Sequence, residues 1–99
     1  MTINAAFSAR TTNGASSGYA TESTIATIEI QKDSVFNGAV VIVECCSADT
    51  DAKYAPIDSD EAHIRYIGTR TVTVSTGMYL RLRLGDAAAG TSINANIIT

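Results

Sequence analysis

Four stretches of the chain alternate apolar and polar residues with a strict period of two, and this alternation narrows the accessible folds more than any other feature. Ala26, Ile28 and Ile30 alternate with Thr27 and Glu29, and Val72 and Val74 with Thr71, Thr73 and Ser75. Met78, Leu80, Leu82 and Leu84 alternate with Tyr79, Arg81 and Arg83, and Ile93, Ala95 and Ile97 with Asn94 and Asn96. Successive side chains of a strand point to opposite faces, so each stretch reads as a strand with one dry and one wet face. The residue choice agrees, being rich in Thr, Ile, Val, Ser, Ala and Gly. β-Branched side chains lose rotamer freedom in a helix and pack well on a pleated surface.

Turn chemistry separates these runs. Asn13-Gly14 and Ser17-Gly18 punctuate the first loop, Lys32-Asp33-Ser34 follows an early strand, and Gly68-Thr69 and Thr76-Gly77 mark later reversals. Asn37-Gly38 favours positive backbone dihedrals. The spacing predicts strands near 2–9, 22–31, 38–46, 53–57, 61–67, 70–76, 78–85 and 91–98. The fold class expected is all-β, a single antiparallel β-sandwich or jelly roll of about eight short strands. Asp86-Ala87-Ala88-Ala89 is too short to nucleate a helix and is closed by Gly90, so it reads as a loop.

A chain of 99 residues holds one domain. Residues 1–20 are expected as an N-terminal arm with the first strand, partly flexible, and 21–99 as the sandwich. The part from Ala5 to Gly18 is small, polar and Ser/Thr/Gly-rich, a composition suited to ordering on a neighbouring subunit. Ala39-Val40-Val41-Ile42-Val43 is apolar on both faces, as in a central strand covered on both sides or one whose outer face meets another subunit. A domain this small buries only about three fifths of its unfolded surface. With no disulfide pattern and no metal spacing, a homo-oligomer is the expected further support.

The charge and motif content excludes several functions. Seven Lys and Arg against ten Asp and Glu leave a net charge of -3, the wrong sign for neutralising phosphates, so no nucleic acid is expected as partner. No run approaches the roughly 18 apolar residues of a membrane-spanning helix. Met1-Thr2-Ile3-Asn4 lacks the basic and apolar blocks of a secretory signal, and the expectation is folding in a reducing cytoplasm. Cys45 and Cys46 are adjacent, so on a strand they point apart and cannot readily bond each other. They read as small hydrophobes, with an intermolecular disulfide or a reactive thiol as the alternative. His63 falls on the face opposite Ala62, Ile64 and Tyr66 and reads as a surface histidine. No nucleophile elbow, phosphate loop or zinc spacing accompanies it, so no enzyme and no cofactor are expected. An active site would have to gather His63, Asp60 and Ser59 in one pocket. Asp49, Asp51, Asp58, Asp60 and Glu61 could supply calcium ligands, but the twelve-residue loop with its Gly and terminal Glu is missing. Arg81 and Arg83 share the wet face of the leucine-bearing strand, as solvated charges or as ion-pair donors to a partner. Tyr19, Tyr54 and Tyr79 suit a core edge or an interface anchor.

The stretch from Val35-Phe36-Asn37-Gly38 through Glu44 leads into Cys46-Ser47-Ala48-Asp49 and Tyr54-Ala55-Pro56-Ile57. Gly77-Met78-Tyr79-Leu80-Arg81-Leu82 and Gly90-Thr91-Ser92-Ile93-Asn94-Ala95 follow. This order of turn, strand, Asp-bearing loop, Pro-containing strand and late aromatic-x-Arg strand resembles the small β-sandwich virion proteins of tailed bacteriophages. These serve as capsid decoration (cement) proteins and as modules of fibres and tails. The resemblance spans roughly residues 20 to 98. It departs where Asp49-Thr50-Asp51-Ala52-Lys53-Tyr54 lacks a Gly beside the Asp and a Trp before the short strand. It implies a structural protein on the virion, at the capsid surface, that binds the major capsid protein or other virion proteins as a homo-oligomer, a trimer favoured. Partner contacts are then expected at Phe7, Arg10, Tyr79, Arg81 and Arg83. The alternative is a receptor- or glycan-binding module of a tail or fibre, with its site near Tyr54 and Asp49.

Overall fold

The computed structural model describes residues 2–57 and 62–99. In chain order the strands are β1 (Ile3–Arg10), β2 (Gly14–Ala15), β3 (Tyr19–Ala20), β4 (Ile25–Ile30), β5 (Val40–Cys46), β6 (Ala55–Pro56), β7 (His63–Ile64), β8 (Gly68–Thr73), β9 (Tyr79–Gly85) and β10 (Ile93–Ile98). A single 3-10 turn, Asp51–Lys53, lies between β5 and β6. All described pairings are antiparallel. One sheet runs β1-β10-β4-β8; in the other, β2 and β3 flank β9, β9 pairs with β5, and β6 and β7 pair with the far side of β5. The two sheets stack as a β-sandwich.

The inner faces are the dry faces of the sequence alternation. Leu80, Leu82 and Leu84 of β9 and Val41 and Val43 of β5 meet Ile28 and Ile30 of β4 and Ile93 and Ile97 of β10, each at most 2% exposed. β-Branched and leucine side chains interdigitating between two sheets supply the main stabilising area. Turns close as their residues dictate. Asn37 and Gly38 take φ of 46 and 89, and the Ala39 N–H donates to the Phe36 carbonyl at 2.9 Å. Two consecutive positive φ values make this turn suited to Asn-Gly and poor for most other pairs.

Several elements differ from the sequence expectation, each for a local reason. The early segment supplies β2 and β3 and so brings the described strands to ten. Residues 3–20, expected in part as an arm for a neighbour, pair with β10 and β9 of their own chain. Two register shifts and a positive φ at Ala9 let β1 bend along the sheet edge while keeping Phe7 inward. The strand expected at 53–57 shrinks to Ala55–Pro56, because the chain first makes its 3-10 turn. Of the strand expected at 61–67, only His63 and Ile64 pair with β5 before the chain crosses to the other sheet. Tyr66 therefore leaves the inward alternation and is 68% exposed, with the Arg70 guanidinium 4.5 Å from its ring centroid.

Leu82 is fully buried at the centre of β9, so Leu82→Ala leaves a cavity the sandwich cannot fill. The expected cost is about 2–5 kcal/mol, read as a lower urea midpoint with an unchanged slope.

Candidate functional site

The outer face of the β5–β9 pair carries an ion cluster that its own chain covers. The seven-residue register sets Glu44 opposite Arg81 and Ile42 opposite Arg83. Directly opposed and diagonal side chains on one sheet face lie within reach of each other. Arg81 Nε donates to Glu44 Oε1 at 2.7 Å, and Arg83 Nε donates to Glu44 Oε2 at 3.1 Å. One carboxylate thus serves two guanidinium groups, leaving one net positive charge in the triad. Glu44 and Arg81 are 6% and 3% exposed, whereas the Arg83 side chain is 41% exposed and forms the open rim.

Residues 47–54 fold back as a strap over this cluster. The Tyr54 ring lies 4.0 Å from the Arg81 guanidinium carbon, a cation–π stack. The Tyr54 hydroxyl donates to Asp49 Oδ1 at 2.8 Å and ties the two ends of the strap together. Gly18 completes the closure: a Cβ there would sit 2.0 Å from the Tyr54 hydroxyl and 2.3 Å from Asp49 Oδ1. Only a residue without a side chain permits that approach. Burial, and then the hydrogen bond to Asp49, push the Tyr54 phenol above its ordinary range. Beside the strap is a depression of about 520 Å³ lined by Ala15, Ser16, Ser17, Arg81 and Arg83. Ser16 holds its wall in place, its Oγ accepting from the Leu82 N–H at 3.0 Å and donating to the Ser17 carbonyl at 2.8 Å. On this rim the half-exposed Arg83 presents a guanidinium fork, a geometry suited to an anionic group.

The residues expected to meet a partner are dispersed. Arg81, Arg83 and the half-buried Tyr79 share the outer face of β9, but Arg81 is enclosed under the strap and not solvated. Phe7 is 4% exposed in the core, opposite Ala95, and so cannot reach outward. Arg10 lies over the Phe7 ring at 5.7 Å and donates to the Thr12 and Asn13 carbonyls at 2.7 and 2.9 Å, bracing the turn after β1. Tyr19 is a brace between the sheets, its hydroxyl donating to the Ala5 carbonyl at 3.1 Å.

His63 is exposed on β7. Ser59, Asp58, Asp60 and Glu61 lie outside the described residues, and with them the proposed pocket and most of the calcium loop. Among the described residues no three of His, Cys, Asp and Glu gather around a common point. The outer face of β5 is covered by the chain itself, with Val40 and Cys46 at 5% and 6% exposed. Cys45, on the opposite face, has its thiol pushed up by burial and then by Cys46. Sequence reasoning passed over Glu44, although its signal is present: a single carboxylate ending an apolar strand needs a counter-charge. Which arginine supplies it depends on the pairing of strands 37 residues apart. No family model, curated protein or solved structure matches the chain.

Glu44→Gln removes the carboxylate that meets Arg81 and Arg83 on this face and is expected to cost about 3–5 kcal/mol in chemical denaturation. Replacing Glu44 and Arg81 together by Leu and Met should cost less than the single change, since no buried guanidinium remains at position 81 and Arg83 is open to solvent. The raised Tyr54 phenol adds a pH signature. Its contribution is complete below the ordinary tyrosine value of about 10 and declines as pH rises above it, because the unfolded chain ionises first. Tyr54→Phe should therefore flatten the alkaline fall in stability followed by denaturation at stepped pH.

Proposed function

We propose that this chain is a structural virion protein, a capsid decoration protein that binds the outside of the assembled phage head and stabilises it. The observation that carries this reading is the outer face of the β1-β10-β4-β8 sheet. Even-numbered residues of β10 and odd-numbered residues of β4 and β8 point outward there, together with Ile3 and Ala5 of β1. Among these described residues the one ionisable group is Glu29, which accepts from Asn96 Nδ2 at 2.8 Å. The rest are Thr, Asn, Ala and Ile, with Ile3 and Ile25 at 62% and 54% exposed. Glu22 borders the face beside Ile25 and Thr27, and the strands themselves carry little charge to desolvate, matching the depletion of charged residues at the centre of protein interfaces.

In this reading the face lies against the major capsid protein, and the protein acts as a homo-oligomer. Several copies of a modest contact then favour the assembled lattice over free subunits. In the glycan-binding alternative the site would have to form around a Tyr54 hydroxyl already bonded to Asp49 Oδ1 and a ring stacked on Arg81.

Co-sedimentation with heads of the phage that encodes the chain provides the test. The protein should pellet with assembled heads and stay in the supernatant with unassembled capsid subunits. Ile3→Glu combined with Ile25→Glu should weaken head binding at least tenfold while leaving the unfolding midpoint nearly unchanged. No binding to heads, or binding indifferent to charges on this face, would sink the proposal.

A further inference from the structure

β8 is the edge of its sheet, and its treatment differs from that of every other described edge. β1 is bent by two register shifts, β2, β3, β6 and β7 are two residues each, and β6 contains Pro56. Such devices prevent strand-to-strand pairing between molecules. β8 has less protection: its six residues keep an unbroken register with β4, without Pro or Lys, and only Arg70, opposite the buried Ile28, adds a charge on the inner side. Its one charge, Arg70, is drawn over the Tyr66 ring.

The phase of the ladder says which groups the edge presents. The Val74 N–H donates to the Thr24 carbonyl at 2.8 Å, one step beyond the Ile25–Thr73 pair. Residues 68, 70 and 72 therefore turn their backbone groups toward β4, while Thr69, Thr71 and Thr73 turn theirs outward. All three threonines are exposed, and among the described residues nothing hydrogen-bonds to them along this edge.

We infer that β8 pairs with β8 of a second copy of this chain about a two-fold axis through Thr71. The register follows from elimination. Outward groups must face outward groups, so an odd-numbered residue opposes an odd-numbered residue. Setting Thr69 against Thr71 would place Arg70 directly opposite Arg70 of the second copy, and like charges so placed repel. Setting Thr71 against Thr73 shortens the overlap. With Thr71 opposite Thr71, Thr69 faces Thr73 of the second copy at both ends, and each facing pair exchanges two N–H···O bonds. Threonine then meets threonine on the solvent side throughout, a favourable cross-strand match.

The exposed apolar residues at the leading end of the strand fit the same partner. The leading end of β8 follows Arg65, Tyr66 and Ile67, the last two 68% and 45% exposed. The trailing end abuts the Thr21–Glu22 corner, where the Thr21 N–H donates to the Met78 carbonyl at 2.8 Å and the Gly77 N–H to the Thr21 carbonyl at 3.2 Å. Antiparallel pairing brings the leading end of each copy to the trailing end of the other and gives Tyr66 and Ile67 cover. The contact joins two sheets into one and extends the sparsely charged outer face. It stands independently of what that face binds.

Two variants test it. Opposed residues of a hydrogen-bonded antiparallel pair have Cα atoms about 5.5 Å apart, inside the roughly 4.4–6.8 Å range of a disulfide. Thr71→Cys should cross-link two copies on mild oxidation, with the bond mapped by mass spectrometry to the introduced thiols. Thr69→Cys should not, since its self-distance in this register is roughly 13 Å, four strand residues. Thr71→Pro removes an N–H that the chain does not use internally and that an edge strand can lose. Light scattering should give the parent protein twice its 10.4 kDa chain mass and the proline variant one chain mass, with the β-sheet circular dichroism retained. A parent that stays at one chain mass, or a trimer unaffected by Thr71→Pro, overturns the proposal. Equal cross-linking at positions 69 and 71 does so too.

Discussion

The β5–β9 ladder is the constraint on which the rest of the molecule depends. Its register puts Val41 opposite Leu84 and Val43 opposite Leu82 on the inner face, and Glu44 opposite Arg81 on the outer one. Side chains repeat every two residues along a strand, so slipping the register by one would turn the leucines outward and bury Arg81 in the core. Hydrophobic burial and a buried ion pair thus specify the same alignment from opposite sides of one sheet. The agreement matters because a carboxylate and a guanidinium this enclosed are tolerable only together.

The two outer faces of the sandwich are treated in opposite ways. On the β5–β9 side the chain supplies its own cover: residues 47–54 close over Arg81, and Gly18 allows Tyr54 and Asp49 to seat. On the β1-β10-β4-β8 side no such strap is described, and threonine, asparagine and isoleucine meet solvent. In the attachment reading proposed above, the covered ion cluster braces the scaffold and the sparsely charged face is the one cheap to dehydrate.

Much of the architecture is legible in the residues themselves. The Leu80-Leu82-Leu84 row, the Ile93-Ala95-Ile97 row and the Asn37-Gly38 turn are local patterns whose physics acts within a few residues, and all three sit where that physics places them. The ends of elements are less legible. Tyr66 follows the inward alternation on paper, yet β7 stops at Ile64 and the chain crosses to the other sheet. Phe7 and its neighbours read as arm-like because small polar residues carry little periodic signal, and the bulges of β1 break what signal there is.

What the sequence alone determined is the β class, the identity of the inward rows and the main turns, since pleat alternation and positive-φ preferences are properties of a few adjacent residues. What only the tertiary structure decided is the fate of the polar groups: that Arg81 is buried against Glu44, that Tyr54 caps it, and that β8 is left with a thinly guarded edge. These outcomes depend on which strands become neighbours. A charge 37 residues away in sequence exerts no force until the sheet brings it to 2.7 Å.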